Sequence, residues 1–292
     1  MSESTLYITS GDIVGRHLSA AGLDGDILVW HDVLYDGSRC PGWPDAAAMA
    51  GRVEFLYQVT GGGLSRDRLR AAVRGQYERL AAAGACERVV LWFDACLFDQ
   101  SMLVHLLACL AQKNILCLEL IEVASFPGIV PFHGLGQLSP AQLASLHDCR
   151  RPVTPAQSDF AVRVDRAFAE HDLAAWRELA GMPSAPLAYV PAAMARRLQE
   201  EPDPRNGLGR LERLALDAIN AGNDAPARIF QAVSAADSVP QFWGDTTLWA
   251  VINGLAERRP PLVRITGPAP RLPQWESPYN PDQFRIAAIG KA

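Results

Sequence analysis

The chain has 292 residues, 49% of them hydrophobic and 20% charged, a balance that excludes disordered, collagen-like and coiled-coil chains. Lys and Arg number 27 against 32 Asp and Glu, and the net charge of −5 argues against a general nucleic-acid or anionic-membrane binder. No apolar stretch reaches the roughly 20 residues of a membrane span, and Met1-Ser2-Glu3-Ser4 is too polar to open a secretory signal. A cytoplasmic protein of one large or two modest domains is expected.

Leu6-Tyr7-Ile8-Thr9 reads as a buried strand, followed by Ser10-Gly11-Asp12. Ile13, Val14, His17, Leu18 and Ala21 then recur at helical spacing, and Gly22 stops the helix. Ile27-Leu28-Val29-Trp30 is a second strand, with helical patterns at about 45–59 and 64–83 after it. Val89 to Phe93 is a third strand, Gln100 to Gln112 a helix, and Ile115 to Ile121 a fourth strand. Continuously apolar strands alternating with helices predict an α/β domain over 1–138, a Rossmann-like open parallel sheet covered on both faces.

A helical extension follows over 139–200, its starts marked by Ser139-Pro140 and Thr154-Pro155, a capping residue and then proline in the first turn. The linker Glu201-Pro202-Asp203-Pro204-Arg205-Asn206-Gly207 leads to helices at 208–221, about 225–235 and about 245–258, then a short strand at 262–265. That order suggests a winged-helix-like domain over 206–266. Six basic and six acidic residues fall in that span, and the third helix exposes almost no cation before Arg258 and Arg259. Phosphate contacts dominate DNA affinity, so packing or a protein partner fits the module better than nucleic acid. The proline-rich tail 267–292 is expected to be irregular.

Polar residues cluster where the strands end. Ser10, Gly11 and Asp12 follow the first strand, Trp30, His31 and Asp32 close the second, and Asp94, Asp99 and Gln100 follow the third. In a parallel sheet these turns share the C-terminal edge, where open α/β folds bind ligands. Gly11 permits close backbone approach, and the amides opening the next helix favour an anion. His31, Asp32, Asp94 and Cys96 are therefore the catalytic candidates, and Ser10, Gly11, Asp12, Trp30, Asp99 and Gln100 the ligand-binding ones. Trp30 or Trp92 would stack on the ligand.

No G-x-G-x-x-G or P-loop is present, so dinucleotide and triphosphate binding lack a motif. The acids could hold Mg²⁺ and let it neutralise a phosphate. Plainer roles compete: Asp12 and Asp99 as helix caps, and His31-Asp32 as a surface loop whose two side chains point to opposite faces. Cys96 as a nucleophile needs a cationic neighbour that the local sequence does not supply. The six cysteines contain no C-x-x-C and read as buried thiols, neither disulfides nor zinc ligands. Phe132 to Leu138, punctuated by Gly134 and Gly136, is either a tight connection or a loop closing over the rim.

These residues resemble a bacterial family designated domain of unknown function 1835, with its companion domain of unknown function 3658 at the C-terminus. The resemblance is carried by Thr9-Ser10-Gly11-Asp12, Trp30-His31-Asp32-Val33-Leu34 with Gly37, Leu91-Trp92-Phe93, Asp99-Gln100, Pro127-Gly128 and Gly134-Leu135-Gly136-Gln137-Leu138. Asn206-Gly207-Leu208 and Gly244-Asp245-Thr246-Thr247-Leu248-Trp249 extend it. It implies this domain order and no particular reaction. Where the family pattern reads Leu-Trp-Phe-Glu-His-Asp-Leu, this chain has Leu91-Trp92-Phe93-Asp94-Ala95-Cys96-Leu97. Relatives also carry arginine at the position of His31, and Gly-Pro at Gly37-Ser38. If that set is catalytic in the family, this member has lost the chemistry or rebuilt it with His31 and Cys96.

The expected function is binding of a small phosphorylated or nucleotide-like ligand at the sheet edge, with hydrolase or transferase chemistry open. Two alternatives stand beside it: a regulatory or interaction protein using the winged-helix-like module, and a biosynthetic enzyme using Cys96.

Overall fold

The computed structural model describes residues 4–290; the polar start Met1-Ser2-Glu3 lies outside them. The chain divides into two compact units, Met1–Val53 with Arg70–Leu198, and Glu54–Leu69 with Gln199–Ala292.

The first unit is built on β1 (Thr5–Ser10), α1 (Asp12–Ala20), β2 (Asp26–Trp30), β3 (Arg88–Asp94), α4 (Leu97–Gln112) and β4 (Leu118–Val123). Helices α2 (Ala46–Val59) and α3 (Arg66–Ala82) lie between β2 and β3 in sequence. After β4 come α5 (Pro140–Leu146), β5 (Arg151–Pro152), α6 (Pro155–Ala169), α7 (Leu173–Ala180) and α8 (Val190–Gln199). The five strands form one open sheet in the order β2-β1-β3-β4-β5, parallel except for β5. The order reverses at β1, because β2 is added on one side of it and β3 on the other. A crevice outside the strand ends is the expected consequence, and it falls between β1 and β3.

Strand alternation sorts the core into two faces. Tyr7, Val90, Trp92, Ile121 and Val123 pack against Val14 and Leu18 of α1, Leu143 of α5, and Phe132, Leu135 and Leu138 of the loop after β4. On the other side Trp30 meets Tyr77 of α3 edge-on at 5.0 Å, and α4 lies against α6. Every residue of α4 from Leu97 to Leu110 is buried except Phe98, so apolar side chains occupy all its faces and the polar Asp99, Gln100, Ser101 and His105 are buried among them. Ser139 and Thr154 cap α5 and α6 in reciprocal boxes with Gln142 and Gln157, with proline in the first turn as the sequence signals.

Four details differ from the sequence reading. Helix α4 begins at Leu97 instead of Gln100, because the Cys96 sulfur accepts the Asp99 N–H and becomes the cap. Strand β4 begins at Leu118 instead of Ile115, because Ile115 N–H still bonds back to Leu110 and Asn114 turns at φ 54°. The two-residue strand β5 was not anticipated; Pro152 lacks an N–H and suits an edge position. All six thiols are free, but only Cys96 and Cys109 are buried, and Cys149 is exposed.

The second unit carries α9 (Arg210–Asn220), α10 (Pro226–Ala236), α11 (Asp245–Glu257) and an antiparallel hairpin of β6 (Val263–Thr266) with β7 (Arg285–Ala288). The tail is thus not wholly irregular: Ile286 N–H bonds to Asp224, and the Asn253 amide, fully buried on α11, bonds both backbone groups of Leu272. Among the described residues no helix is long and apolar enough to cross a membrane.

Candidate functional site

The C-terminal edge of the parallel strands holds two polar groups with opposite exposure. The outer one is a pair. His31 Nε2 lies 2.8 Å from Asp12 Oδ1, with the two side chains 50% and 58% exposed. Gln76 holds the main chain at His31, accepting its backbone N–H at 2.5 Å and donating to its carbonyl at 3.3 Å. Asp12 is the first residue of α1. The residue before it, Gly11, adopts φ 72°, and a side chain there would meet nothing within 4 Å. No side chain caps α1. Its first-turn amides, which have no partner inside a helix, therefore face the open edge beside the imidazole.

The inner group is a buried network at the β1/β3 crevice. Ser10 donates to Asp99 Oδ1 at 2.5 Å, and the Asp94 backbone N–H donates to Asp99 Oδ2 at 2.7 Å. The Asp94 carboxylate accepts the N–H groups of Cys96 at 2.9 Å and Leu135 at 3.2 Å. Gln100 donates to the Asp94 carbonyl at 2.8 Å and to Glu122 at 3.3 Å. No cationic side chain joins this network among the described residues. Burial pushes the Asp94 carboxyl up, and it pushes Asp99 further, helped by the neighbouring Asp94 charge. Burial also raises Glu122.

Ser10, Asp94, Cys96, Asp99 and Gln100 thus converge, and so do Asp12 and His31. The other sequence candidates go elsewhere. Asp32 turns away from His31, as adjacent residues on an extended chain must, and pairs with Arg52 of α2 at 2.7 Å, both almost fully buried. Trp30 and Trp92 are 1% and 0% exposed, which places both indoles inside the core and away from any ligand at the rim. Asp12 and Asp99 lie in the first turns of their helices, but neither is the cap.

The ligand atoms of Asp94, Cys96 and Asp99 lie within 4.8 Å of one another, the spacing of a metal set. Their chemistry fits one poorly. All four carboxylate oxygens and the sulfur already accept N–H or O–H donors that hold the β3–α4 turn, and magnesium does not favour a thiol. Burial, with Asp94 and Asp99 alongside, pushes the Cys96 thiol well up, which leaves it protonated and a poor nucleophile. The loop over this network is the one punctuated by glycine. Gly134, at φ 143°, has no room for a side chain, because a Cβ there would overlap the Asp94 carboxyl.

A second polar centre, missed in the sequence, lies beneath the β2 exit loop. Asp165 of α6 accepts from Arg39 at 2.5 Å, from His105 Nδ1 at 3.0 Å and from the Gly42 N–H at 2.6 Å. The other imidazole nitrogen lies 2.7 Å from the Tyr77 hydroxyl. Burial alone would raise the Asp165 carboxyl, but Arg39 and then His105 pull it down to about 2. The sequence carried one sign of this centre: His105 interrupts the apolar run from Met102 to Ala111.

No protein-family model matches the chain, and no curated protein is similar to it. The geometry alone carries the functional reading.

Proposed function

We propose that the chain binds a small, phosphorylated, hydroxyl-bearing molecule at the C-terminal edge of its sheet. The observation that carries this is the uncapped start of α1: Gly11 in open space at φ 72°, with the exposed His31–Asp12 pair against it, where the strand order reverses. Free amides at a helix N-terminus favour an anion, and an imidazole adds a donor to it. Asp12 would accept a sugar hydroxyl on the same ligand. Asp94 and Asp99, recessed in the crevice, hold the β3–α4 turn and do not reach the ligand. A nucleophilic role for Cys96 finds no support in its surroundings.

A Rossmann-like description of the first unit belongs to this reading, and the order β2-β1-β3-β4 supports it, because its reversal between β1 and β3 is the kind of point at which doubly wound sheets hold their ligands. A winged-helix-like description of the three helices and hairpin in the second unit is a separate proposal. It is supported as a protein-contact module by Trp275 and Tyr279, 45% and 40% exposed beside the hairpin in sequence.

Calorimetric titration with nucleoside monophosphates, sugar phosphates and inorganic phosphate, each with and without Mg²⁺, tests the first reading. Saturable binding that His31→Ala weakens about tenfold or more is expected. Absence of binding across the panel, or binding that His31→Ala and Asp12→Ala leave unchanged, overturns it.

A further inference from the structure

The loop that leaves β2 is held from inside by guanidinium groups. Arg52 donates to the Val33 carbonyl and, at 2.7 Å, to that of Asp36. Arg39 donates to the Leu34 carbonyl at 3.1 Å, and Arg197 of α8 to that of Tyr35 at 3.0 Å. Four successive carbonyls thus accept from three arginines whose side chains are themselves almost wholly buried. A loop fixed in this way needs little further ordering when a molecule binds against it. Such a place exists. A cavity of about 330 Å³, open to solvent, lies between residues 34–38 of this loop and the end of α6 at 168–171. Its volume is at the small end of the range of ligand sites.

We propose that this cavity binds a small organic cation, a primary amine or guanidinium compound, through Asp36 and Glu170. Both acids line it, and neither is ion-paired among the described residues. One Asp36 oxygen accepts the Gly37 N–H at 2.8 Å, which leaves the other for a ligand. Arg197 also lines the cavity, but its guanidinium lies 4.7 Å over the Trp176 ring and is committed to the Tyr35 carbonyl. The C-terminus of α6 adds partial negative charge, which again favours a cation. Tyr35 and Phe168 complete the wall with ring surface, and aromatic rings attract organic cations in preference to anions. The preference is opposite to that of the α1 edge, so one titrant distinguishes the two sites.

Amide NMR of the full chain, titrated with agmatine and with putrescine against sodium chloride at equal ionic strength, tests the site. Saturable shifts at Gly37, Ser38, Glu170 and His171 with at least one amine, absent with sodium chloride, are the expected result. The double variant Asp36→Asn, Glu170→Gln removes both charges at exposed positions, and its asparagine can still accept the Gly37 N–H. It is expected to weaken binding about tenfold or more. Three results overturn the proposal: no saturable shift with either amine, saturation of these residues by calcium or phosphate but by neither amine, or an affinity that the double variant leaves unchanged.

Discussion

Two carboxylate centres lie within the first unit, and the same residue types behave oppositely in them. At Asp165 the charge is met from inside by Arg39, His105 and the Gly42 N–H, and the acid stays ionised down to about pH 2. At the sheet edge Asp94 and Asp99 are buried as deeply, but they are met by N–H and hydroxyl groups alone, and both carboxyls are pushed upward. The difference teaches how to separate structure from function here. A centre whose charges are balanced by its own side chains holds the fold. At the edge, the groups left open to solvent, His31 and Asp12 with the amides of α1, are those free to meet a ligand.

The comparison breaks first at Asp165. Replacing it with alanine leaves Arg39 buried without a counter-charge, and a loss of about 3–5 kcal/mol in denaturant unfolding is expected. A loss below about 1 kcal/mol would put the two centres in the same class. Gly134→Ala comes next. It strains φ 143° and drives a methyl into the Asp94 carboxyl, for an expected loss of about 1–3 kcal/mol and lifting of the loop around Leu135. Wild-type stability there would mean that the loop does not rest on Asp94.

The pH dependence sharpens the contrast because the two signs differ. Asp165 has a lowered pKa in the fold, so its contribution, about 2 kcal/mol, is present above the ordinary carboxylate range and is lost as pH falls toward 2. Asp94 and Asp99 have raised values, so their contribution is full below that range and is lost as pH rises through the raised values. Asp99→Asn, whose amide can still accept the Asp94 N–H and donate to Ser10, is expected to stay within about 1 kcal/mol of wild type at low pH, where Asp99 is protonated, while flattening the loss on the rising-pH side. A profile that stays parallel to wild type would contradict the assignment. The smallest effect on stability is expected for His31→Ala, within about 0.5 kcal/mol, since an exposed pair contributes little.

Much of this was legible in the chain. The runs at Leu6–Thr9, Ile27–Trp30 and Val89–Phe93 announce buried parallel strands, and a parallel sheet must gather the residues after them on one edge. That rule found Ser10, Asp12, His31, Asp94 and Asp99. It could not tell which would be open, because the loop that covers Asp94 comes from residues about 40 positions later, through the Leu135 N–H. The Asp165 centre was illegible for the same reason: Arg39 and Asp165 are 126 residues apart, and neither stands in a motif. The strand β7 was hidden because the prolines before it dominate the tail's composition, while pairing with β6 is decided by a partner about 20 residues away.

The central claim is that the open start of α1 is a ligand site, and amide NMR during titration with a sugar phosphate tests it most directly. Saturable shifts confined to Gly11, Asp12, Ile13 and the His31 ring, absent with chloride at equal ionic strength, are the predicted result. Resonances of α1 that stay still while others move, or that respond equally to chloride, would contradict it.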